Sequence, residues 1–235
     1  VTAAVLREEW AQQIPMSTIL ETLNSLRRRS LIHNEVSGFT LQNIVREYAV
    51  DRLVERVGQE LLEADESQPL AKLEMLCNYA LLQARQNKDY LREAQVRLIL
   101  NPILERLITV GDITCTAEHL YALLKSLRGI PAQQVGYAGG NLLNLLIHLD
   151  KNSLKGLDLS HLVIRQAYLR ETPLQDVNLS HTDVTKSLFN EPFSSILSVA
   201  YSPDGEILAL SDAEGEISLW KGHTGVRLAT WQGHQ

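Results

Sequence analysis

Cysteine, methionine and aromatic residues are scarce in this chain, with two Cys, two Met and 6% aromatics among 235 residues. Cys77 and Cys115 form no C-x-x-C pair and each falls within a helical pattern, which excludes a cysteine zinc site and a disulfide framework. Buried free thiols in a reducing cytoplasm are the expectation. Long apolar runs are missing too: Leu98 to Leu107 is broken by Asn101, Pro102, Glu105 and Arg106, far short of the roughly 20 residues of a membrane span. No signal-peptide pattern opens the chain, and a first residue Val1 rather than Met suggests a segment of something longer. Positive charge is short, at 22 Lys and Arg against 28 Asp and Glu, for a net charge of −6. The first 64 residues hold nine acidic against seven basic side chains. Neither balance is the footprint of a nucleic-acid binder, so proteins are the expected partners.

Catalytic motifs are absent as well. No glycine precedes a lysine, so the G-x-x-x-x-G-K-[ST] phosphate loop is missing, and neither H-E-x-x-H nor G-x-S-x-G occurs. The chain is therefore expected not to be an enzyme in its own right. Gly136-Tyr137-Ala138-Gly139-Gly140 lacks the strand and lysine of a nucleotide loop and reads as a flexible entry to a helix.

What is present falls into three textures, and 45% hydrophobic residues suffice for a core. Apolar residues from Leu70 to Ala84 recur at steps of three and four, predicting one helix. Further helices are expected over Tyr90 to Leu100, from Pro102 to Thr109 with proline at the start, and over Thr116 to Leu127. Upstream, a helix ending at Arg27-Arg28-Arg29 precedes two short strands, Ser30 to Glu35 and Phe39 to Leu41, turned at Ser37-Gly38 and followed by a new helix near Gln42. That order is the plan of a winged helix, with Trp10, Ile19, Leu23, Leu26, Leu31, Ile32, Phe39, Leu41 and Val45 as its core.

From Leu154 the period becomes five: Leu154, Leu159, Ile164, Leu169, Leu174, Leu179, Val184 and Phe189 are all apolar. This pattern resembles pentapeptide-repeat proteins, whose central residue points inward and whose four units make one square coil of a right-handed β-helix. Leu157, Leu162, Ala167, Thr172, Val177, Thr182 and Ser187 fit the second inward position, and Asn152 does not. Two coils bury too little to stand alone and need covers at their ends. Asp158-Leu159-Ser160-His161 recurs as Asn178-Leu179-Ser180-His181, so His161 and His181 should stack about 4.8 Å apart at strand spacing. A shared metal is one use of such a pair, a plain surface ladder the commoner one, and no metal site is assigned.

The last segment has four short strand-like pieces, Ile196 to Tyr201, Ile207 to Leu210, Glu216 to Trp220 and Val226 to Trp231. With Ser202-Pro203-Asp204-Gly205, Ile217-Ser218-Leu219-Trp220, Thr224-Gly225 and Gly233-His234 it resembles one WD repeat. Lys221 stands where that family places its defining aspartate, which puts a full hydrogen-bond tetrad in doubt. Propellers close with four to eight blades, so one blade implies more.

Phe39-Thr40-Leu41-Gln42-Asn43-Ile44-Val45-Arg46-Glu47-Tyr48-Ala49 looks like the winged-helix signature of NB-ARC and related STAND signal-transduction ATPases. With the WD repeat, the order resembles NB-ARC and WD-repeat proteins of filamentous cyanobacteria. In that family a Met-His-Asp triplet occupies the places of Leu41, Gln42 and Asn43, and its histidine lies near the β-phosphate of bound ADP. The resemblance makes Gln42 the candidate cofactor-binding residue, able to donate a hydrogen bond but carrying no charge. No cofactor is expected in this chain itself, and ADP or ATP only in a longer parent.

The expected architecture is multidomain α+β: a winged-helix region over 1–64, a helical array over 65–150, a pentapeptide coil over 151–193 and a first WD blade over 194–235. The expected role is a cytoplasmic regulatory and interaction segment of a nucleotide-switched ATPase, with an upstream NTPase domain in cis and partner proteins on the propeller. The alternative is a standalone winged-helix transcription regulator, in which Arg27 to Arg29 would meet DNA. Those arginines equally suit a solvated helix C-terminus.

Overall fold

The computed structural model describes residues 15–35, 38–84, 89–151, 153–170, 172–189, 196–222 and 226–233. Helices fill the first two thirds and a four-stranded antiparallel sheet closes the chain, an α+β composition. Helix α1 (Met16–Arg28) buries Ile19 and Leu23 and ends on Arg27 and Arg28, whose charge suits the C-terminal carbonyls. Strands β1 (Ile32–Glu35) and β2 (Gly38–Leu41) pair antiparallel, Ile32 opposite Leu41. Ile19, Leu23 and Ile32 form a small core with Leu26 and Phe39 packed on it. Leu41, expected inside it, is exposed; Trp10 and Ser37 lie outside the described residues.

Helix α2 (Asn43–Glu63) carries the chain into the main core through Val54, Val57 and Leu61. The single helix expected over Leu70 to Ala84 does not form. A 3₁₀ turn, Pro69–Ala71, is followed by the short helix α3 (Glu74–Asn78). After it the backbone is held by distant side chains instead: Leu81 N–H donates to Asn141 Oδ1 at 2.9 Å and Ala84 N–H to Gln166 Oε1 at 3.0 Å. Pro102 stands in the first turn of a helix, as expected, but that helix continues an earlier one. Helix α4 (Asp89–Gln95) runs through a π turn, Val96–Leu100, into α5 (Asn101–Val110). Proline has no N–H to donate one turn back and its ring crowds that carbonyl, and the wider turn just before it accommodates both.

Helix α6 (Ile113–Ser126) is capped by Asp112, whose carboxylate accepts from Cys115 N–H at 2.7 Å. It packs on α8 (Ala138–Leu149), which follows the one-turn α7 (Ala132–Val135). The stretch expected to be a flexible loop is therefore largely helix: Gly139 and Gly140 are buried in the first turn of α8. A Cβ on Gly139 would lie 2.0 Å from Val163 O, and one on Gly140 1.8 Å from Arg165 O. Only glycine lets the helix backbone approach the following segment so closely.

That segment turns every five residues. Leu157 N–H bonds Leu154 O at 3.0 Å and Ser187 N–H bonds Val184 O at 3.0 Å. Gly156, His161, Gln166, Asp176, His181 and Lys186, five or ten apart, sit at the left-handed position. Positive φ at that third place defines type II turns. Parallel bridges join Asp158 to Asn178, Val163 to Asp183 and Tyr168 to Leu188. Each spans twenty residues, so four steps make one turn of a coil and the second turn lies on the first. Leu154, Leu159, Ile164 and Leu169 of the first turn are buried. Leu174, Leu179, Val184 and Phe189 of the second are half-buried. The polar inward residues Thr182 and Ser187 donate across the layers to Leu159 O and Ile164 O, at 2.9 and 2.6 Å. Asn152 lies outside the described residues. One hydrophobic core runs from Val54 through α6 and α8 to Leu169, without a break at residue 150.

The last sheet has the order β3-β4-β5-β6, with β3 (Ile196–Tyr201), β4 (Ile207–Asp212), β5 (Glu216–Lys221) and β6 (Val226–Gln232). Among its described side chains only Leu210, Ser218 and Trp220 are buried, and β3 is exposed along its whole length.

Candidate functional site

Gln42 is the residue before α2, in extended backbone at φ −61° and ψ 148°. Its side-chain amide lies 3.1 Å from His33 Nε2 on β1. With the amide donating, the neutral imidazole carries its proton on Nδ1. Gln42 therefore braces the hairpin against the helix start, and His33 is the partner that sequence reasoning missed. Immediately beyond it Ile44 and Tyr48, four apart on one face of α2, are 79% and 67% exposed, with Leu41 exposed beside them. Arg27, Arg28 and Arg29 project from the end of α1 into solvent.

His161 and His181 stack with ring centroids 4.8 Å apart and planes 18° from parallel. Both occupy left-handed turn positions, at φ 56° and 58°, and both are exposed. Face-to-face rings send their nitrogen lone pairs out side by side, whereas a shared zinc needs lone pairs converging at about 2.0–2.1 Å. Among the described residues no group of three or more His, Cys, Asp or Glu side chains could hold a metal ion. Cys77 is a half-buried thiol, pushed up to about 11 by burial and then by the Glu60 carboxylate. Cys115 is exposed, against the expectation of a second buried thiol.

Polar side chains of α8 and of the segment after α6 tie those helices to the segments packed on them. Asn141 accepts from Leu81 N–H and donates to Leu76 O at 2.8 Å and Tyr79 O at 2.7 Å. Asn144, one turn on, donates to Gln166 O at 3.0 Å and accepts from Tyr168 N–H at 2.8 Å. Arg128 reaches from the end of α6 to Asp158, meeting its carbonyl at 2.6 Å and its carboxylate at 3.0 Å. The available signal was the pair of asparagines three apart among the leucines of α8, where buried polar groups must be partnered.

In the sheet, Asp204 and Asp212 fix the turns. Asp204 accepts from Ser202 Oγ and from Glu206 N–H, and Asp212 from Glu214 and Glu216 N–H at 3.0 and 2.9 Å. Trp220 Nε1 donates to Ser218 Oγ at 2.9 Å. Thr224, Gly225 and His234 lie outside the described residues. The result is a small four-stranded sheet pinned at its turns, with few buried side chains among its described residues.

The chain is similar to two uncharacterized WD repeat-containing proteins of the cyanobacterium Nostoc sp. One is 38% identical over an alignment of 261 residues that covers all of this chain and 21% of that protein. The other is 39% identical over 117 residues, 50% of this chain and 8% of that protein. The chain thus spans about a fifth or less of the length of these relatives. No family model matches it, and no solved structure does. The four-stranded antiparallel sheet is compatible with the WD repeats named in these relatives.

Proposed function

We propose that this chain is a non-catalytic regulatory and protein-interaction segment of a cytoplasmic, nucleotide-switched signal-transduction ATPase of the NB-ARC type. In it α1, the hairpin and α2 form a winged helix, the five-residue steps form a pentapeptide coil, and β3 to β6 form the first blade of a WD propeller. The observation that carries this function is the β3 to β6 sheet, exposed along its first strand and buried at only three of its described side chains, in a chain whose relatives contain WD repeats and are several times longer. A sheet so poorly covered gains stability and a binding surface from neighbouring blades. The exposed Ile44 and Tyr48 beside Gln42 support contact with an upstream nucleotide-binding domain, where Gln42 would lie near ADP.

The test is to read the native transcript on both sides of the segment. A phosphate loop encoded before Val1 and further WD repeats after Gln235 are expected. Stop signals on both sides would overturn the proposal. In the full-length protein, Gln42→Ala is expected to speed ADP release severalfold, and an unchanged rate would remove Gln42 from the nucleotide site.

A further inference from the structure

Arg27, Arg28 and Arg29 close α1 as three exposed arginines in a row, and the next residue is Ser30. Among the described residues none of the three makes an ion pair. The helix ends on two backbone bonds, from Ser30 N–H to Arg27 O at 2.9 Å and from Leu31 N–H to Leu26 O at 3.0 Å. That closure places Ser30 at φ 58°. Outside the five-residue steps of the coil, it is the one described non-glycine residue in the left-handed region. Glycine is the usual residue at such a helix end, where it carries no Cβ penalty. A serine held there against that strain points to a use of its hydroxyl. Within the described residues that hydroxyl has no use: Ser30 is exposed and its Oγ takes no hydrogen bond. Serines in turns ordinarily bond the neighbouring backbone, so this one is available to a reaction partner.

We propose that Ser30 is a phosphoryl-acceptor site for a serine/threonine kinase that selects arginines ahead of its target. Carboxylates in the substrate groove of such a kinase pair with guanidiniums through charge-assisted, two-pronged hydrogen bonds. The Ser30 hydroxyl oxygen bonds to the γ-phosphorus of ATP, the bond from that phosphorus to its bridging oxygen breaks, and ADP leaves. The hydroxyl proton passes to the kinase's catalytic aspartate. The new group carries about −1.5 to −2 charges at neutral pH. Negative charge at a helix C-terminus is unfavourable by itself, and Arg27, Arg28 and Arg29 stand beside it to offset it. The mark leaves about one of three positive charges at the joint between α1 and β1, and so weakens the hold of this corner on an acidic partner.

The 235-residue chain can be incubated with ATP and the catalytic subunit of cyclic-AMP-dependent protein kinase, which selects arginines just before its serine, and the product mapped by mass spectrometry. One phosphoryl group per chain is expected, on Ser30. Arg27→Gln and Arg28→Gln should each lower kcat/KM about tenfold or more, the loss of a charge-assisted contact to the kinase. Arg46→Gln on α2 should leave it unchanged. Arg27 and Arg28 are exposed, so both variants can be compared at an unchanged melting temperature. Ser30→Gly suits the left-handed turn, keeps the fold and should take no phosphate. Labelling confined to heat-unfolded chain would overturn the proposal, because the folded turn would then be closed to the kinase. Labelling of another residue in place of Ser30, or a kcat/KM unmoved by Arg28→Gln, would overturn it equally. None of these outcomes depends on a nucleotide-binding domain elsewhere.

Discussion

At the scale of single residues, space and backbone conformation separate two glycines that composition treats alike. Gly140 has no room for a methyl group, because Arg165 O would lie 1.8 Å from its Cβ. Carbonyls held in the coil cannot swing aside as a side-chain end can. Gly140→Ala is therefore expected to cost about 3 kcal/mol or more in urea unfolding. Gly129→Ala, at φ +75° with nothing within 4 Å, should cost only about 1 kcal/mol. Similar losses at the two sites would mean that α8 and the coil do not approach as described. The converse substitution also has a sign. Asp176 is held at φ 58°, a conformation that glycine adopts without a Cβ penalty. Asp176→Gly should raise stability by about 1 kcal/mol, read as a higher melting temperature.

At the scale of elements, the hairpin and the coil were legible because their signals are local. A turn residue between two short apolar runs, and one apolar side chain every five positions, each report the nearby backbone directly. Leu70 to Ala84 misled for the opposite reason. Its helical spacing is real, but Asn141, sixty residues beyond Leu81, and Gln166, eighty-two beyond Ala84, hold the backbone N–H groups. A periodicity cannot reveal a competitor that distant in sequence. The glycines of α8 misled similarly, since flexibility and close packing both call for glycine and only the coil lying against it distinguishes them. At the candidate sites the stacking of His161 on His181 was legible from their spacing of twenty residues, while the pairing of Gln42 with His33 across the hairpin was not.

The coil also sets a dependence on acidity. Asp158 is held below the ordinary aspartate range chiefly by the Ser160 hydroxyl and N–H, with Arg128 adding to it. Burial pushes Asp183 up, yet Thr185 and the Arg165 guanidinium, 2.8 Å away, together bring it below its usual value. A carboxyl group with a lower pKa folded than unfolded adds stability that is complete above its unfolded value, near 4, and is lost as pH falls through the folded one. Melting temperature should drop on acidification from about pH 5 to about pH 3, and Asp183→Asn should flatten the drop. Glu60, raised mainly by burial, contributes with the opposite sign. Its share is present below the unfolded value and fades as pH rises through the folded one, a counter-current that scanning between pH 4 and about pH 6 can separate.

At the scale of the whole molecule, the described residues divide by burial rather than by sequence texture. From Val54 to Leu169 a single core joins helices and coil, while the buried side chains of the last sheet belong to no part of it. Local opening follows burial and contact density. Hydrogen exchange followed by mass spectrometry should therefore show β3 to β6 exchanging sooner than α6 and α8. Equal protection would mean that the sheet has gained a cover, such as a second copy of the chain. Among the described residues no helix is long and apolar enough to cross a membrane.

The twenty-residue turn of the coil has one more consequence, for how such chains can lengthen. Each five-residue step advances the path by a quarter of a turn, because four steps bring Asp158 beneath Asn178. Adding or deleting one step would swing the direction in which the next segment departs by about a right angle. Adding four would restore that direction and merely move it one layer, about 4.8 Å, along the axis. Insertions that are not a multiple of five residues would leave the left-handed turn positions out of step with the layer below. Growth of this part of the molecule is thus counted in fives, and the compass bearing of whatever follows takes only four values.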